Sequence, residues 1–486
     1  MNRWVAGALF ALALAHAAPA RANGAFPAAG QIVLDPTQPS RVFINTSYGF
    51  AVSNDAGNTW DLVCEQAIGY SGGFHPHAAI TPSGKLFLGL PDGLAIGSGA
   101  ACDFERVAAL EGSFVADVSM APSGDRAIAR VVPPNGARPR VWASDDDLAT
   151  WAPLGAELPD KTTVLTLDAA PSDPSVLYVS GLVSGTPEHG VVMVSQDGGG
   201  TWTSTLIANS FSSSGPFIGG IDPFDAGTVW VRTNGAPGRL LRSTDFGATY
   251  EELETTTGFM QAFRLTPDGL HAYFGGPVDG LSKLDTQDAS VEVLSEVGAR
   301  CVTLDPLDSD KVYVCADELM SDFSAGRSID GGHTFSSMFE QRCVRGILAC
   351  DAASDVGATC PAEWPAIAMQ LGADGSCQSS AGGAGGAGGG SATTGTITGA
   401  GGAGGSPARG GGGAGGSGGG GESGCDCSMG RPAPSRLEWV AFAGLFAAYW
   451  SGRLTKRATR AALGRDALKR RARRASTRVD RSTRSS

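Results

Sequence analysis

One eight-residue pattern, Ser-x-Asp-x-Gly-x-Thr-aromatic, recurs along this chain and restricts its fold more than any other feature. Four copies are intact: Ser53, Asp55, Gly57 and Trp60; Ser195, Asp197, Gly199 and Trp202; Ser243, Asp245, Gly247 and Tyr250; Ser328, Asp330, Gly332 and Phe335. A fifth keeps Ser144, Asp146 and Trp151 but carries Leu148 where the others have Gly. The gaps in the series hold two worn copies. Gly93-Leu94-Ala95-Ile96 ending in Phe104 aligns without gaps on Gly49-Phe50-Ala51-Val52 ending in Trp60, and a second worn copy lies near Lys283-Leu284-Asp285. Copies thus begin near 53, 97, 144, 195, 243, 284 and 328, seven units of similar size.

A common preamble precedes the octapeptides: an apolar strand, a turn and a second strand. It reads Ile32-Val33-Leu34 then Val42-Phe43-Ile44, Ile80 then Leu86-Phe87-Leu88, Ile221 then Val229-Trp230-Val231, Leu265 then Ala272-Tyr273-Phe274, and Val302-Thr303-Leu304 then Val312-Tyr313-Val314. Strands before and after the octapeptide bring each unit to four. Such a unit of about 45 residues has the size of a propeller blade, and radial repetition hides strand edges. The expected fold is all-β, a single seven-bladed β-propeller over residues 23–342. The octapeptide suits the turn between third and fourth strands: its Asp accepts backbone N–H bonds, Gly supplies positive φ, and Ser and Thr hydroxyls satisfy what remains. The aromatic is expected to pack under the turn on a neighbouring blade.

These octapeptides resemble the Asp-box, or bacterial neuraminidase repeat, of sialidases, sortilin-type receptors, some glycoside hydrolases and the photosystem II assembly factor family. The resemblance covers roughly residues 26–340 and implies a fold, not an activity. In such families the boxes lie away from the ligand face, which makes the repeated Asp residues structural and directs attention to the opposite loops. Candidates there are Tyr70, Phe74, His75, His77, Glu188, His189, Arg232, Asp317 and Glu318. His75 and His77 are two metal-type ligands without a third, so no metal or cofactor is expected. A sialidase would resemble its relatives in an Arg triad and a Phe-Arg-Ile-Pro-like motif before the first box. Here Ser40-Arg41-Val42-Phe43 lacks the proline, and Arg130, Arg232, Arg242, Arg264 and Arg327 are scattered. No catalytic residue is assigned. An Arg triad facing a pocket would mark an enzyme, and a broad apolar or aromatic loop face a partner-binding protein.

The termini speak to location. Arg3, an apolar stretch from Trp4 to Leu14 and Ala20-Arg21-Ala22 read as a signal peptide over residues 1–22. Export favours disulfides among the ten cysteines. Cys301 and Cys315 flank a hairpin turn and are expected to pair. Cys343, Cys350, Cys360 and Cys377 are expected to form a cross-linked cap over 343–377, with Cys64 and Cys102 joining neighbouring blades. Residues 378–424 are a Gly/Ala/Ser linker too poor in apolar surface to fold. Then come Cys425 and Cys427, an apolar stretch from Leu437 to Trp450 read as one short membrane helix within 425–452, and a basic tail over 453–486. This order resembles the MYXO-CTERM sorting signal, which implies processing or lipidation near Cys425 and Cys427 and display at the outer membrane or cell surface. If the segment is retained, the propeller is instead held in the periplasm with the tail cytoplasmic. The tail has thirteen Lys/Arg against two Asp, so of the net −12 the remainder of the chain carries about −23, an acidic body unsuited to nucleic acid. The expected function is a surface-anchored, non-enzymatic binder of a protein or glycan, membrane-associated through its C-terminal segment or a lipid. The alternatives are a secreted sialidase-like glycoside hydrolase and a periplasmic assembly factor docking a client.

Overall fold

Each preamble and its octapeptide fold together into one antiparallel four-stranded sheet. The computed structural model describes residues 28–71, 74–121, 123–134, 137–159, 161–373 and 377; the expected signal peptide, linker, Cys425, Cys427, apolar segment and basic tail lie outside the described residues. Seven sheets follow in sequence order: blade 1 (29–64), blade 2 (78–106), blade 3 (114–154), blade 4 (162–211), blade 5 (216–256), blade 6 (262–295) and blade 7 (301–339). Both worn octapeptides sit between third and fourth strands, as the intact ones do. The first strands pack against one another around the centre, and Ala29–Leu34 of blade 1 meets Cys301–Leu304 of blade 7 to close the ring.

An innermost strand has a free edge, and the backbone groups along it need partners. Side chains of adjacent blades supply many of them. Gln31 bonds both the N–H and the C=O of Ala78, at 3.0 and 2.9 Å. Asp117 accepts from the Leu167 N–H at 2.8 Å, Thr166 from the Ile218 N–H at 2.9 Å, and Thr303 donates to the Ile32 carbonyl at 3.0 Å. Polar residues on the inner strands therefore join the blades edge to edge.

The octapeptide turns are built alike. In blade 5, Asp245 Oδ1 accepts from the Ser243 hydroxyl at 2.8 Å and the Thr249 N–H at 2.9 Å, Oδ2 accepts from the Thr249 hydroxyl at 2.6 Å, and Ser243 Oγ accepts from Gly247 N–H at 2.9 Å. The same bonds recur around Asp55, Asp197 and Asp330. In the copy without Gly, Leu148 occupies the glycine position at φ 71°. Its side chain is buried beside Trp151 between blades 2 and 3, which offsets the strain of a left-handed leucine.

Those bonds stabilise the charged carboxylate. The Thr201 N–H first, then the Ser195 and Thr201 hydroxyls, pull Asp197 down to about 2; the Thr hydroxyl leads at Asp245 and Asp330, also at about 2. A carboxyl lowered in the folded state contributes stability above its unfolded value of 3.8 and loses it as pH falls through the folded value. The propeller is expected to lose stability between pH 4 and 2, and Asp245→Asn to reduce that slope in a pH series of urea melts. An unchanged slope in the variant would show that the turns do not govern acid unfolding.

The cap departs from expectation. Cys301–Cys315 forms within blade 7, but Cys64 and Cys102 do not join blades to each other: Cys64 bonds Cys360 and Cys102 bonds Cys350. Only Cys343–Cys377 lies within 343–377. The physical reason is where the chain goes after blade 7. Val344–Ile347 adds a fifth, parallel strand to the outer edge of blade 1, at Trp60–Cys64, and a helix over Asp355–Leu371 packs behind it. Ser354 caps that helix through the Gly357 N–H, and Asp355 accepts the Phe104 N–H of blade 2 at 2.8 Å. The segment is a clip from blade 7 across blade 1 to blade 2.

Candidate functional site at the channel mouth

The octapeptides occupy one face, which places the loops joining second to third strands and blade to blade on the other. The loop before blade 2 carries the most distinctive sequence, and its side chains meet those of blade 3 beside the channel. Tyr70 and Phe74 meet edge to face at 6.3 Å, Phe74 and Phe114 at 6.2 Å, and the Arg130 guanidinium lies 5.7 Å from the Phe114 ring. Tyr70 is buried, and burial first and Glu65 second push its hydroxyl far above the ordinary range.

His77 directly precedes the first strand of blade 2. Its Nδ1 is 3.2 Å from Asp117 Oδ1, and its side chain is 56% exposed. Burial opposes the charged ring, but the Asp117 carboxylate outweighs it and holds the His77 pKa above its ordinary value. Deeper along the wall, Ser119 donates to Asp168 at 3.0 Å. Burial, reinforced by Asp117, pushes the Asp168 carboxyl up to about 7, against the pull of Ser119, Arg264 and His77.

Three arginines complete the wall. Arg130 and Arg232 hold matching positions, each three residues after the one paired with an octapeptide Ser, Ala127 with Ser144 and Val229 with Ser243. Arg130 donates to the Val164 carbonyl of blade 4 and Arg232 to the Met260 carbonyl before blade 6, at 2.8 Å. Blade 1 has Asn45 at the same position, donating to the Pro76 carbonyl at 2.6 Å. Burial lowers Arg130 and Arg232 to about 10, with Asp117 opposing at Arg130. Arg264 is an exposed residue on the innermost strand of blade 6, Ala262–Leu265.

Of the loop residues expected from sequence, Tyr70, Phe74, His77 and Arg232 therefore lie around the channel. His75 packs against Gly30, and burial first, then His77, lowers its pKa. The His189 ring lies tilted against that of Phe211, centroids 5.5 Å apart, at the rim of blade 4 next to Glu188. Asp317 caps the short helix Glu318–Ser321 and pairs with Arg300 at 2.7 Å, while Glu318 accepts from Ser324 and from the Gln341 N–H. These two acids are committed to local structure. Asp117, Ser119 and Asp168 were not singled out from sequence. A signal existed: an acid on an innermost strand of an otherwise apolar preamble has little reason to be there unless the channel uses it.

Away from the channel, a cleft between blades 2 and 3 on the octapeptide face holds Asp125, Asp145 and Asp147, of which Asp147 pairs with Lys85 and Asp145 with Arg126. Glu340 lies beside Cys343 and Cys377, whose sulfurs are joined to each other and offer no thiolate to a metal. Among the described residues, no helix is long and apolar enough to cross a membrane.

No protein-family model matches the chain, and no curated protein matches it in sequence. Among solved structures, the chain is similar to an ancestral GH74 enzyme (16% identity, TM-score 0.47, covering 65% of this chain and 45% of that one). It is also similar to Kuenenia stuttgartiensis hydrazine synthase (14%, 0.46, covering 61% and 94%) and to the Niastella koreensis GH74 enzyme (16%, 0.31, covering 63% and 62%). The chain thus spans less than two thirds of the length of either GH74 enzyme. These likenesses concern the propeller fold.

Proposed function

We propose that this chain is an exported, surface-anchored binding propeller of the Asp-box type, which engages a protein or glycan partner through the face opposite its octapeptide turns. The observation that carries the reading is the convergence at the channel mouth of Tyr70, Phe74 and Phe114 with His77 and Asp117. The octapeptide carboxylates are consumed inside their own turns. Around the mouth, Phe259, Val278, Leu319 and Met320 expose apolar surface, the last two at 85 and 84%, which favours a protein partner. Asp117 is tied to the Val118 and Leu167 N–H groups and to His77, a commitment that suits a wall residue better than a reacting one. Anchoring follows the MYXO-CTERM-like order of Cys425, Cys427, apolar segment and basic tail.

The test compares the full chain with two variants against defined extracellular proteins and a glycan array. Leu319→Asp with Met320→Asp is expected to weaken capture tenfold or more, whereas Leu307→Asp on the octapeptide face leaves it unchanged. Loss in the second variant only, or turnover of a glycoside that Asp117→Asn abolishes, would overturn the reading. Intact mass and fractionation of the native protein address anchoring: a chain ending near Cys425 to Cys427 with a lipid is expected, and an unmodified chain reaching Ser486 in the inner membrane would refute it.

A further inference from the structure

We propose that the octapeptide face carries a second interaction surface, over blades 5 to 7, which takes a protein segment whose apolar side chains are flanked by lysine or arginine. This goes beyond the loop-face reading and uses none of its residues. The repeats supply their own control. The turn joining first and second strands has a proline in every blade, and the residue after it is Thr37, Ser83, Ser123 and Ser172 in blades 1 to 4 and Asp268 in blade 6. Blades 5 and 7 carry Phe224 and Leu307 there, 75 and 84% exposed. The second residue of the octapeptide breaks the same rule: it is Asn54, Asp145, Gln196 and Thr244 in four copies but Ile329 in blade 7, 73% exposed.

These exceptions share one face. The octapeptides bond to the turns between first and second strands, the Phe246 N–H to the Gly227 carbonyl at 3.0 Å in blade 5 and the Gly331 N–H to the Asp310 carbonyl at 2.9 Å in blade 7. Leu270, also exposed, lies in the corresponding turn of blade 6, and that turn touches the one in blade 5: a Cβ on Gly269 would stand 3.1 Å from Pro223 Cδ. A single apolar side chain in solvent is ordinary. Four in the turns of three consecutive blades, three of them where other blades are polar, mark a contact surface. Charge selects what covers it. Asp225, Asp268, Asp288, Asp310 and Asp330 are exposed in the same turns without an ion-pair partner among the described residues, and the neighbouring Lys311 is taken by Asp308 at 3.1 Å. A second copy of this chain would set these acids against themselves, and an anionic lipid surface would be repelled. A basic protein segment is attracted by the acids while its apolar side chains cover Phe224, Leu270, Leu307 and Ile329.

The experiment titrates the full chain into three fluorescent synthetic peptides and reads binding by anisotropy: one with Leu and Phe flanked by Lys, one with Glu in place of each Lys, and one with Ser in place of each Leu and Phe. The main variant combines Phe224→Ser, Leu307→Ser and Ile329→Thr. Other blades carry these residues at the same positions, so the turns are retained, and an unchanged urea melt checks it. Leu319→Ser with Met320→Ser is the control on the loop face. The Lys-flanked peptide is expected to bind the native chain and the loop-face control alike, and the triple variant at least tenfold more weakly. The other two peptides are expected to bind the native chain at least tenfold more weakly than the first. No binding of the Lys-flanked peptide, equal binding of either substitute, equal binding by the triple variant, or equal loss in the loop-face control would overturn the surface. Because the two faces are read by separate variants, failure here leaves partner capture through Leu319 and Met320 intact, and failure of that capture leaves this result standing.

Discussion

Replacing Cys64 and Cys360 together by alanine is expected to cost the propeller about 4 kcal/mol, and removing Cys102 and Cys350 as well to raise the loss to about 9–10 kcal/mol. The two bridges close nested loops. Cys64–Cys360 spans 296 residues and Cys102–Cys350 spans 248. With the inner bridge intact, opening the outer one frees only roughly 48 residues, those from 64 to 102 and from 350 to 360, a loop worth about 4 kcal/mol of chain entropy. With both gone the whole ring is released, and the further loop is worth about 5–6 kcal/mol. The double removal should therefore exceed the sum of the two single removals. Urea unfolding followed by tryptophan fluorescence measures it. A double loss no larger than either single loss would mean that the clip detaches locally before the propeller unfolds.

The clip matters because of how the ring closes. The four antiparallel strands of blade 1 all come from residues 29–64, and the four of blade 7 all come from residues 301–339, so neither blade borrows one of its antiparallel strands from the other. What holds blade 7 to blade 1 is side-chain contact: Thr303 on Ile32, Arg327 near the Ala56 carbonyl and Trp60 on Met338. Across that junction the clip lays Val344–Ile347 on the far edge of blade 1 and fixes it with covalent bonds.

The parts of this molecule that were legible from sequence are those whose physics is local. A turn that consumes Ser, Asp, Gly and Thr within eight residues prints itself as a motif, and seven such turns at blade spacing leave little freedom in the fold. Even Leu148 was readable as a worn glycine, because the other residues of its turn remained. The clip was not readable: nothing near Cys64 points to Cys360, and a parallel fifth strand leaves no pattern in either partner. The channel lies between these cases. Arg130, Arg232 and Asn45 share a repeat position, but its meaning depends on a carbonyl at the next blade, which nothing in the repeat itself points to. Candidates chosen loop by loop accordingly mixed wall residues such as His77 with local scaffolding such as Glu318.

Trp60→Ala is the other substitution expected to have a large effect, about 4 kcal/mol. Five octapeptides end in an aromatic that packs on the preceding blade, yet these side chains are not equivalent. Trp60 is 2% exposed, its Nε1 donates to the Met338 carbonyl of blade 7 at 2.9 Å, and its ring meets Phe339 edge to face at 5.0 Å. Truncation would leave a cavity beside Phe339 and an unpaired carbonyl at the one junction where the ring was open before folding. Trp202 packs in the same way between blades 3 and 4 but is only partly buried, and its Nε1 has no partner among the described residues. Trp202→Ala should cost about 1–2 kcal/mol. Trp60 Nε1 also donates to the Gly57 carbonyl of its own turn at 3.1 Å, a tie that Trp202 lacks among the described residues. A cost at Trp60 no larger than at Trp202 in urea melts would show that neither this bond nor the contact with blade 7 stabilises the ring.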